Sequence, residues 1–204
     1  MTSLVCKPSL YKPMVTSTLK MTYEQFLQFN DSTDYLYELE NGELVQMASE
    51  SILNQRIVMF LVSFLLAKGF PFNRLYTKVE IAVVSRMVGV RVPDLVVFSD
   101  ELLSMMQGAA RSLITLDMPP PMLVVEVVSP DSEKRDYRYK RSEYAVRGIP
   151  EYWIVDPIAG KVTILEWIEG MYEESIFQGD EVIISPQLGT LSLTVNQLLK
   201  AGGE

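Results

Sequence analysis

The sequence predicts a single α/β domain in which helices flank a mixed β-sheet. Its 204 residues, 48% of them hydrophobic, are enough for one well-buried core and few for two. Helix-like and strand-like segments alternate along the chain, which is typical of α/β proteins. The strand pattern at 121–130 is followed by an amphipathic helix and a second strand, and such a unit places two strands parallel in one sheet. We expect one domain at 21–204, preceded by a loose, proline-interrupted arm at 1–20.

Local signals place the elements of the first half. Thr22 and Gln25 have the spacing of a capping box, which predicts a helix over "MTYEQFLQF". Asn41-Gly42 predicts a tight turn between two short strands. A long apolar helix is expected at 49–68, and its apolar run is about half of what a membrane span requires. Two strands, "LYTKVEIAVV" and "PDLVVFSD", are expected on either side of a turn at 86–89.

Similar signals continue through the second half. A loop at 101–121 with a short helix at "ELLSMM" precedes the strand at 121–130. Asp131 or Ser132 is expected to cap the basic helix that follows, and Gly148 to end it. The strand "EYWIVD", a hairpin turning at Glu169-Gly170 and a closing helix at "TVNQLLKA" complete the domain.

Composition excludes several kinds of chemistry. The chain has no histidine, which removes Ser-His-Asp and Cys-His catalysis, histidine-based nucleases and histidine-ligated zinc. Any bound metal would therefore be a hard ion with oxygen ligands. The single cysteine, Cys6, cannot form an internal disulfide, and lysines and prolines interrupt the N-terminal segment where a secretory signal would lie. We expect a cytoplasmic protein that does not enter a membrane.

Charge is distributed unevenly along the chain. The net charge of −8 argues against a protein that coats nucleic acid nonspecifically. Six basic and two acidic residues lie between Lys134 and Arg147, a net +4, so the remainder carries −12. The basic residues are therefore concentrated in the helix after the strand at 121–130.

A carboxylate interrupts the most hydrophobic strand. Glu126 lies within "LVVEVV", and burying it without a partner would cost several kcal/mol. Asp94 begins the strand pattern "DLVVF", and alternation places it on one face with Val96 and Phe98. If the faces of the two strands coincide, the two carboxylates converge. A divalent cation such as Mg²⁺ or Mn²⁺ would then offset both the repulsion between them and the free-energy cost of burying them. Lys140 on the following helix could point towards them.

The order of these motifs resembles a known family. "YELENGELVQM", "VPDLVVFSD", "LVVEVVSPDS", a helix with Lys and Tyr, and "GIPEYWIVDP" together resemble a putative restriction endonuclease family of the PD-(D/E)XK nuclease superfamily, over roughly residues 20–200. The resemblance implies a restriction-endonuclease-like αβββαβ core and metal-dependent cleavage of DNA. It implies Asp94 and Glu126 as catalytic metal ligands, with the backbone carbonyl of Val127 completing the set, and no bound organic cofactor.

One position departs from the family pattern. Val128 occupies the place of the lysine in the E-x-K element, and the resemblance implies that Lys140 from the following helix replaces it as the catalytic lysine. Glu38 and Tyr144 are possible accessory residues. Relatives with this pattern often carry a histidine near Asn54, which is absent here.

Other readings stay open. Each acid could be a structural residue neutralised by an arginine or by backbone donors, and the chain could be a catalytically inactive nuclease fold that binds nucleic acid or protein. A carboxylate-pair glycosidase ranks last, because Trp153 and Trp167 both lie in strand patterns typical of a core. A homodimer is expected, as is common for nucleases that cut two strands.

Overall fold

The computed structural model describes residues 19–33, 35–130 and 132–201. Most of the predicted arm, residues 1–18, lies outside these ranges. Its last two residues belong to the domain: Leu44 donates its backbone N–H to the carbonyl of Leu19 at 2.9 Å, and Lys20 forms a β-bridge with Glu43. The predicted boundary of the arm is therefore wrong for these two residues.

The described chain contains five α-helices. Four of them begin at a side-chain cap, formed by Thr22, Ser51, Ser99 and Thr194, and the capping box at Thr22 is the one that the sequence predicts. A 3₁₀ turn lies at Phe72–Arg74, and a π-helical segment at Arg135–Lys140 runs directly into the fourth α-helix. The α-helices are α1 (Tyr23–Gln28), α2 (Ile52–Ala67), α3 (Asp100–Met106), α4 (Arg141–Arg147) and α5 (Val195–Leu199).

Thirteen strands are formed by the described residues. The first seven are β1 (Tyr37–Glu40), β2 (Glu43–Gln46), β3 (Leu75–Tyr76), β4 (Glu80–Val84), β5 (Val88–Arg91), β6 (Leu95–Val97) and β7 (Leu113–Ile114). The remaining six are β8 (Leu123–Val127), β9 (Glu151–Asp156), β10 (Lys161–Ile168), β11 (Met171–Gln178), β12 (Val182–Ser185) and β13 (Gly189–Thr194).

The strands form two large sheets and one small one. The six-stranded sheet has the order β11-β10-β9-β8-β6-β3, with β8 and β9 parallel as predicted. The five-stranded sheet has the order β2-β1-β5-β4-β7, and β12 pairs with β13. The α/β fold class with mixed sheets and flanking helices is confirmed. The strands expected between α2 and α3 divide between both large sheets, because the chain changes sheet at 77–79 and again at Pro93, which cannot donate to a ladder.

The six-stranded sheet buries apolar side chains on both faces. On one face, Leu95, Val125 and Trp153 pack with α2, α5 and the small sheet. On the other, Val96 and Val124 pack with α4 and the five-stranded sheet. The alternation along β8 therefore assigns each residue to one of two cores, and Glu126 belongs to the face of Val124.

The turn signals and the helix boundaries agree only partly with the sequence prediction. Asn41 and Gly42 have φ of 51° and 80°, as the predicted hairpin turn requires, and Gly148 ends α4 with φ of 72°. The predicted turn at 86–89 is wrong at its end, because Val88–Arg91 is a strand.

The start of the basic helix also differs from the prediction. The predicted cap Asp131 lies outside the described residues. Ser132 does not cap the helix: its hydroxyl accepts from the backbone N–H of Ser129 at 3.0 Å and donates to Asp136 at 2.5 Å. Among the helices of the described ranges, none has both the length and the apolar character to cross a bilayer.

Candidate active site

Asp94 and Glu126 lie opposite each other on neighbouring strands. β6 and β8 pair antiparallel with Leu95 opposite Val125, and the register extended by one residue brings Asp94 opposite Glu126. Directly opposed residues of an antiparallel pair point to the same face. The two carboxylates predicted to converge therefore lie on one face of the six-stranded sheet, the face that packs against α4.

Glu126 is compensated by two side chains from the following helix. It is 3% exposed. Its Oε2 lies 2.8 Å from the Nζ of Lys140, and its Oε1 accepts a hydrogen bond of 2.8 Å from the Tyr144 hydroxyl. Burial raises the pKa of Glu126 well above its usual value, against the opposing charge of Lys140. The ammonium group and the phenol thus replace the water that the buried carboxylate has lost.

Lys140 lies at the centre of a group of carboxylates. Besides Glu126, its Nζ is 3.2 Å from Asp136 and 3.6 Å from Glu38. Burial alone would lower the pKa of Lys140, but these negative charges outweigh it and raise the pKa above the usual value. The amine therefore stays protonated at neutral pH. It can stabilise negative charge, and it cannot serve as a general base.

Asp94 lies at the boundary between the buried charges and solvent. Its Oδ2 accepts a 2.6 Å hydrogen bond from the backbone N–H of Val127, and its side chain lines an open cleft. Burial raises the pKa of Asp94 to about 7, although the Val127 N–H and Lys140 oppose that rise and the neighbouring Glu50 adds to it. Asp94 is the acid of the pair that solvent and substrate can reach.

The Val127 carbonyl, a predicted metal ligand, already accepts one hydrogen bond. The Asn54 side-chain amide donates to it at 3.1 Å and to the Val128 carbonyl at 3.4 Å. The Asn54 Oδ1 in turn accepts from the Ser51 hydroxyl, which ties the start of α2 to β8. One lone pair of the Val127 oxygen remains for another partner. This contact of Asn54 is not predicted by the sequence, where the residue marks only the place of the absent histidine.

Glu38 is surrounded by cationic groups. Its carboxylate accepts from Arg91 at 3.0 Å, from Arg135, and from the Val92 N–H at 3.2 Å. Burial alone would raise the pKa of Glu38, but Lys140 and the two arginines hold it at about 2. Glu38 is therefore ionised and acts as the counter-charge of three cations.

Arg91 also belongs to this cluster, although the sequence did not predict it as a site residue. It is fully buried, donates to both oxygens of Glu143 at 2.7 and 3.0 Å, and reaches Glu40 at 3.0 Å. Burial lowers the pKa of Arg91, and the bonds to Glu143 and Glu38 more than offset this. The signal was present: an arginine within the apolar run "VGVRVP" raises the same question as Glu126 in its strand.

The buried cluster carries more negative than positive groups. It combines six acids with three bases: Glu38, Glu40, Asp94, Glu126, Asp136 and Glu143 with Arg91, Arg135 and Lys140. Fully ionised, this set has a charge of −3. A divalent cation beside Asp94 and Glu126 would offset most of the excess.

The available ligands fit a hard divalent cation that keeps part of its water shell. In the described part of the chain, no group of three or more His, Cys, Asp or Glu residues is placed to hold a metal ion. Asp94, Glu126 and the Val127 carbonyl supply two carboxylates and one carbonyl, all of them oxygen ligands. Mg²⁺ commonly takes one or two carboxylates and completes its octahedron with water and phosphate oxygens.

The two tryptophans do not form a sugar cleft. Trp153 is fully buried, as predicted. Trp167 is 39% exposed and donates its indole N–H to the Ala145 carbonyl at 2.8 Å, so the prediction that it belongs to the core is wrong. Trp153 lies opposite Val125, one position from the partner of Glu126, but it packs on the other face of the sheet. Trp167 lies beyond the end of the β9–β10 ladder. This arrangement gives the glycosidase reading no support.

A family model and a solved structure agree with the fold and with the predicted family. The model of the family described as "Uma2: Putative restriction endonuclease" matches residues 23–196. A comparison with curated protein sequences finds no match. The crystal structure of a "putative nuclease belonging to DUF820" from Anabaena variabilis superimposes on this structure with a TM-score of 0.70. The two sequences are 18% identical, and the match covers 89% of this chain and 98% of the other chain. Because the family model spans most of the sequence, the chain belongs to the Uma2 family of putative restriction endonucleases.

Proposed function

We propose that this protein is a nuclease that hydrolyses phosphodiester bonds in DNA with Mg²⁺ or Mn²⁺. The observation that carries the proposal is the pairing of Asp94 with Glu126 across two strands, with Lys140 at 2.8 Å from Glu126. Burial raises the pKa of both carboxylates, and such perturbed pKa values cluster at functional sites. The family match supports the same reaction class.

Each residue has a distinct part in the proposed reaction. Asp94, Glu126 and the Val127 carbonyl would hold the ion, which when bound supplies Lewis-acid activation of water and of the scissile phosphate. Tyr144 and Lys140 fix the orientation of the Glu126 carboxylate. Lys140 also places a permanent positive charge where negative charge grows as water adds to phosphorus and the bond to the sugar oxygen breaks.

A cleavage assay tests the proposal. Supercoiled plasmid, linear duplex and single-stranded DNA are incubated with the pure protein and Mg²⁺, Mn²⁺ or EDTA. We expect metal-dependent cleavage that Asp94→Ala reduces at least about 100-fold, since a metal ligand and its charge are lost. The matched control is Glu169→Gln, an exposed turn carboxylate that should leave the rate unchanged. Absence of cleavage on all three substrates would contradict the proposal.

One observation favours a second candidate, a catalytically inactive nuclease fold that binds nucleic acid or protein. Glu126 and Lys140 are only 3% and 5% exposed, and they neutralise each other. Titration calorimetry with Mn²⁺ separates the candidates. A nuclease site should give one saturable binding event that Glu126→Gln weakens at least about tenfold, because a charged ligand becomes neutral. An inactive fold should give no saturable event.

The oligomeric state follows from the substrate. A homodimer is the form we propose if both strands of a duplex are cut at one place, because each active site cuts one strand. Sedimentation velocity at several protein concentrations measures this directly.

A further inference from the structure

The cleft that Asp94 lines has the composition of a nucleobase site. Its volume is about 730 Å³, within the range of pockets that enclose a small-molecule-sized group. Its lining includes Tyr35 and Met59, both 62% exposed. Two exposed amides, Gln46 and Gln55, add hydrogen-bonding groups. Flat and polarisable side chains beside amides suit a planar heterocycle with polar edges.

We propose that this cleft binds one unpaired nucleotide of a single-stranded nucleic acid, with the base against Tyr35 and Met59 and the phosphate directed towards Asp94. The inference rests on the proposed nuclease function and names its substrate class. Stacking on an aromatic ring is independent of base identity, so the site would accept many sequences.

The charges of the cleft argue against a duplex. Among the described residues that line it, Lys78 is the one cation, while Glu50 and Asp94 are acids. Proteins that bind duplex DNA neutralise several phosphates with lysine and arginine, and this contact supplies most of their nonspecific affinity. A cleft with one lysine cannot supply that contribution, so its affinity must come from stacking and from the phosphate at the metal site.

The basic helix does not make up for this deficit. Four of its six cations are committed to contacts within the protein, in the pairs Arg135 with Glu38, Lys140 with Glu126, Arg141 with Glu174, and Arg147 with the carbonyls of Thr115 and Met118. Most of the positive charge that the sequence concentrates in this helix is therefore used in contacts within the protein.

Tyr35 is held in place by its neighbours. Its backbone N–H donates to the Thr33 hydroxyl at 3.3 Å, and the next residue, Leu36, accepts from the Met47 N–H at 2.9 Å. These bonds extend the β1–β2 hairpin to the edge of the cleft and fix the backbone that carries the ring. The ring itself is exposed and open to a base, and stacking of a base on an aromatic ring is worth about 1–3 kcal/mol.

Fluorescence anisotropy with labelled oligonucleotides tests the inference. Single-stranded DNA, RNA of the same sequence, and the corresponding blunt duplex are titrated with the full chain in Ca²⁺. We expect both single strands to bind at least about tenfold more tightly than the duplex, because their bases are free to stack. The two single-stranded arms show whether the sugar is discriminated. We also expect a weak salt dependence. A plot of the logarithm of the binding constant against the logarithm of the salt concentration should have a slope no steeper than about −2, because few phosphates are neutralised.

Two variants locate the site. Tyr35→Ala should weaken single-strand binding about tenfold or more, and Tyr35→Phe, which keeps the ring, should restore it. Phe72→Ala is the matched control, because Phe72 is 78% exposed and does not line the cleft. Circular dichroism of each variant confirms that it is folded.

The outcomes separate this inference from the proposed function. The inference is overturned if the duplex binds as tightly as the single strands or more tightly, or if Tyr35→Ala binds single strands as well as the wild type does. The nuclease proposal still stands in that case if Mg²⁺-dependent cleavage of the duplex is seen. Tyr35-dependent binding of single strands without cleavage keeps the nucleotide site and overturns the nuclease proposal. Absence of both binding and cleavage overturns both.

Discussion

Lys140 shows how one side chain can replace another from a different element. The residue two positions after Glu126 is Val128, which packs in the core. The ammonium group instead comes from the π-helical segment, and its Nζ lies 2.8 Å from Glu126. π-Helical turns are rare and often occur at functional sites. Here the segment buries Asp136 and Lys140 side by side, four residues apart, so that both face the carboxylates.

Removal of Lys140 should expose how strongly Glu126 depends on it. We expect Lys140→Met to lower the free energy of unfolding by about 3 kcal/mol at pH 8, because a buried carboxylate loses its partner. The loss should shrink at pH 5, where Glu126 can take up a proton. Urea denaturation at both pH values measures this. The double variant Glu126→Gln/Lys140→Met should recover part of the stability, and equal stability of the single and double variants would contradict this account.

Asp94 should make the metal-free protein less stable as pH rises. Its pKa is raised to about 7 in the folded state, while the unfolded chain releases the same proton near its ordinary value. Stability therefore falls as pH rises from about 4 to about 7. In EDTA, the free energy of unfolding of Asp94→Asn relative to that of the wild type should increase by about 1–2 kcal/mol between pH 5 and pH 8. This figure is reduced because Asp94 is partly exposed to solvent. Urea titrations at the two pH values measure this increase. A stability difference between variant and wild type that does not change with pH would contradict the prediction.

At the scale of elements, the pairing of β1 with β5 determines where Glu38 and Arg91 meet. Leu39 lies opposite Val90 in this ladder, so the residues beside them, Glu38 and Arg91, become neighbours. The close approach depends on Gly89. A Cβ atom at that position would lie 2.5 Å from the Leu39 carbonyl oxygen, too short for any real contact.

Gly89→Ala should therefore disrupt the ladder. We expect a loss of about 2–4 kcal/mol in the free energy of unfolding, because backbone atoms must move apart and the buried charges of β1 and β5 separate. Gly148→Ala is the matched control: its φ is 72°, but nothing lies within 4 Å of the added Cβ, so about 1 kcal/mol is expected. Denaturant unfolding compares the two, and an equal or larger loss for Gly148→Ala would contradict the steric explanation.

Across the whole molecule, the buried charges connect the same layers that the apolar core packs together. Glu38 and Arg91 come from the five-stranded sheet, Glu143 from α4 and Glu126 from the six-stranded sheet. The salt bridges between them therefore link both sheets to the helix that packs on them. The candidate site lies where these three layers meet.

Glu38 should make the fold sensitive to acid. Its pKa is about 2 in the folded state, below that of the unfolded chain, so it contributes stability above about pH 4.5 that is lost as pH falls towards 2. We expect Glu38→Gln to be less stable than wild type by about 3 kcal/mol at pH 7 and by about half of that at pH 3. Chemical denaturation at the two pH values measures the difference. Glu169→Gln, at an exposed position, is the control. If the stability difference between wild type and Glu38→Gln is as large at pH 3 as at pH 7, the lowered pKa of Glu38 is contradicted.

The residues that the sequence analysis singled out were those whose type conflicts with their local pattern. Glu126 within an apolar run required a partner, and the structure supplies Lys140 and Tyr144. Arg91 presents the same conflict and was overlooked, because the strand that contains it was read in part as a turn. Asn54 gave no comparable signal, since an asparagine near a helix start is ordinary.

The sequence by itself determined the class of the fold, the hairpins β1–β2 and β10–β11, most helix ends and the identity of the two opposed acids, because capping, turn chemistry and strand alternation are local properties. The division of the strands between two large sheets was decided only by the tertiary structure, as were the contact of Asn54 with Val127 and the assembly of six acids with three bases. The reason is physical: each buried charge is stable only beside partners from distant parts of the chain, and those partners meet only when the layers pack.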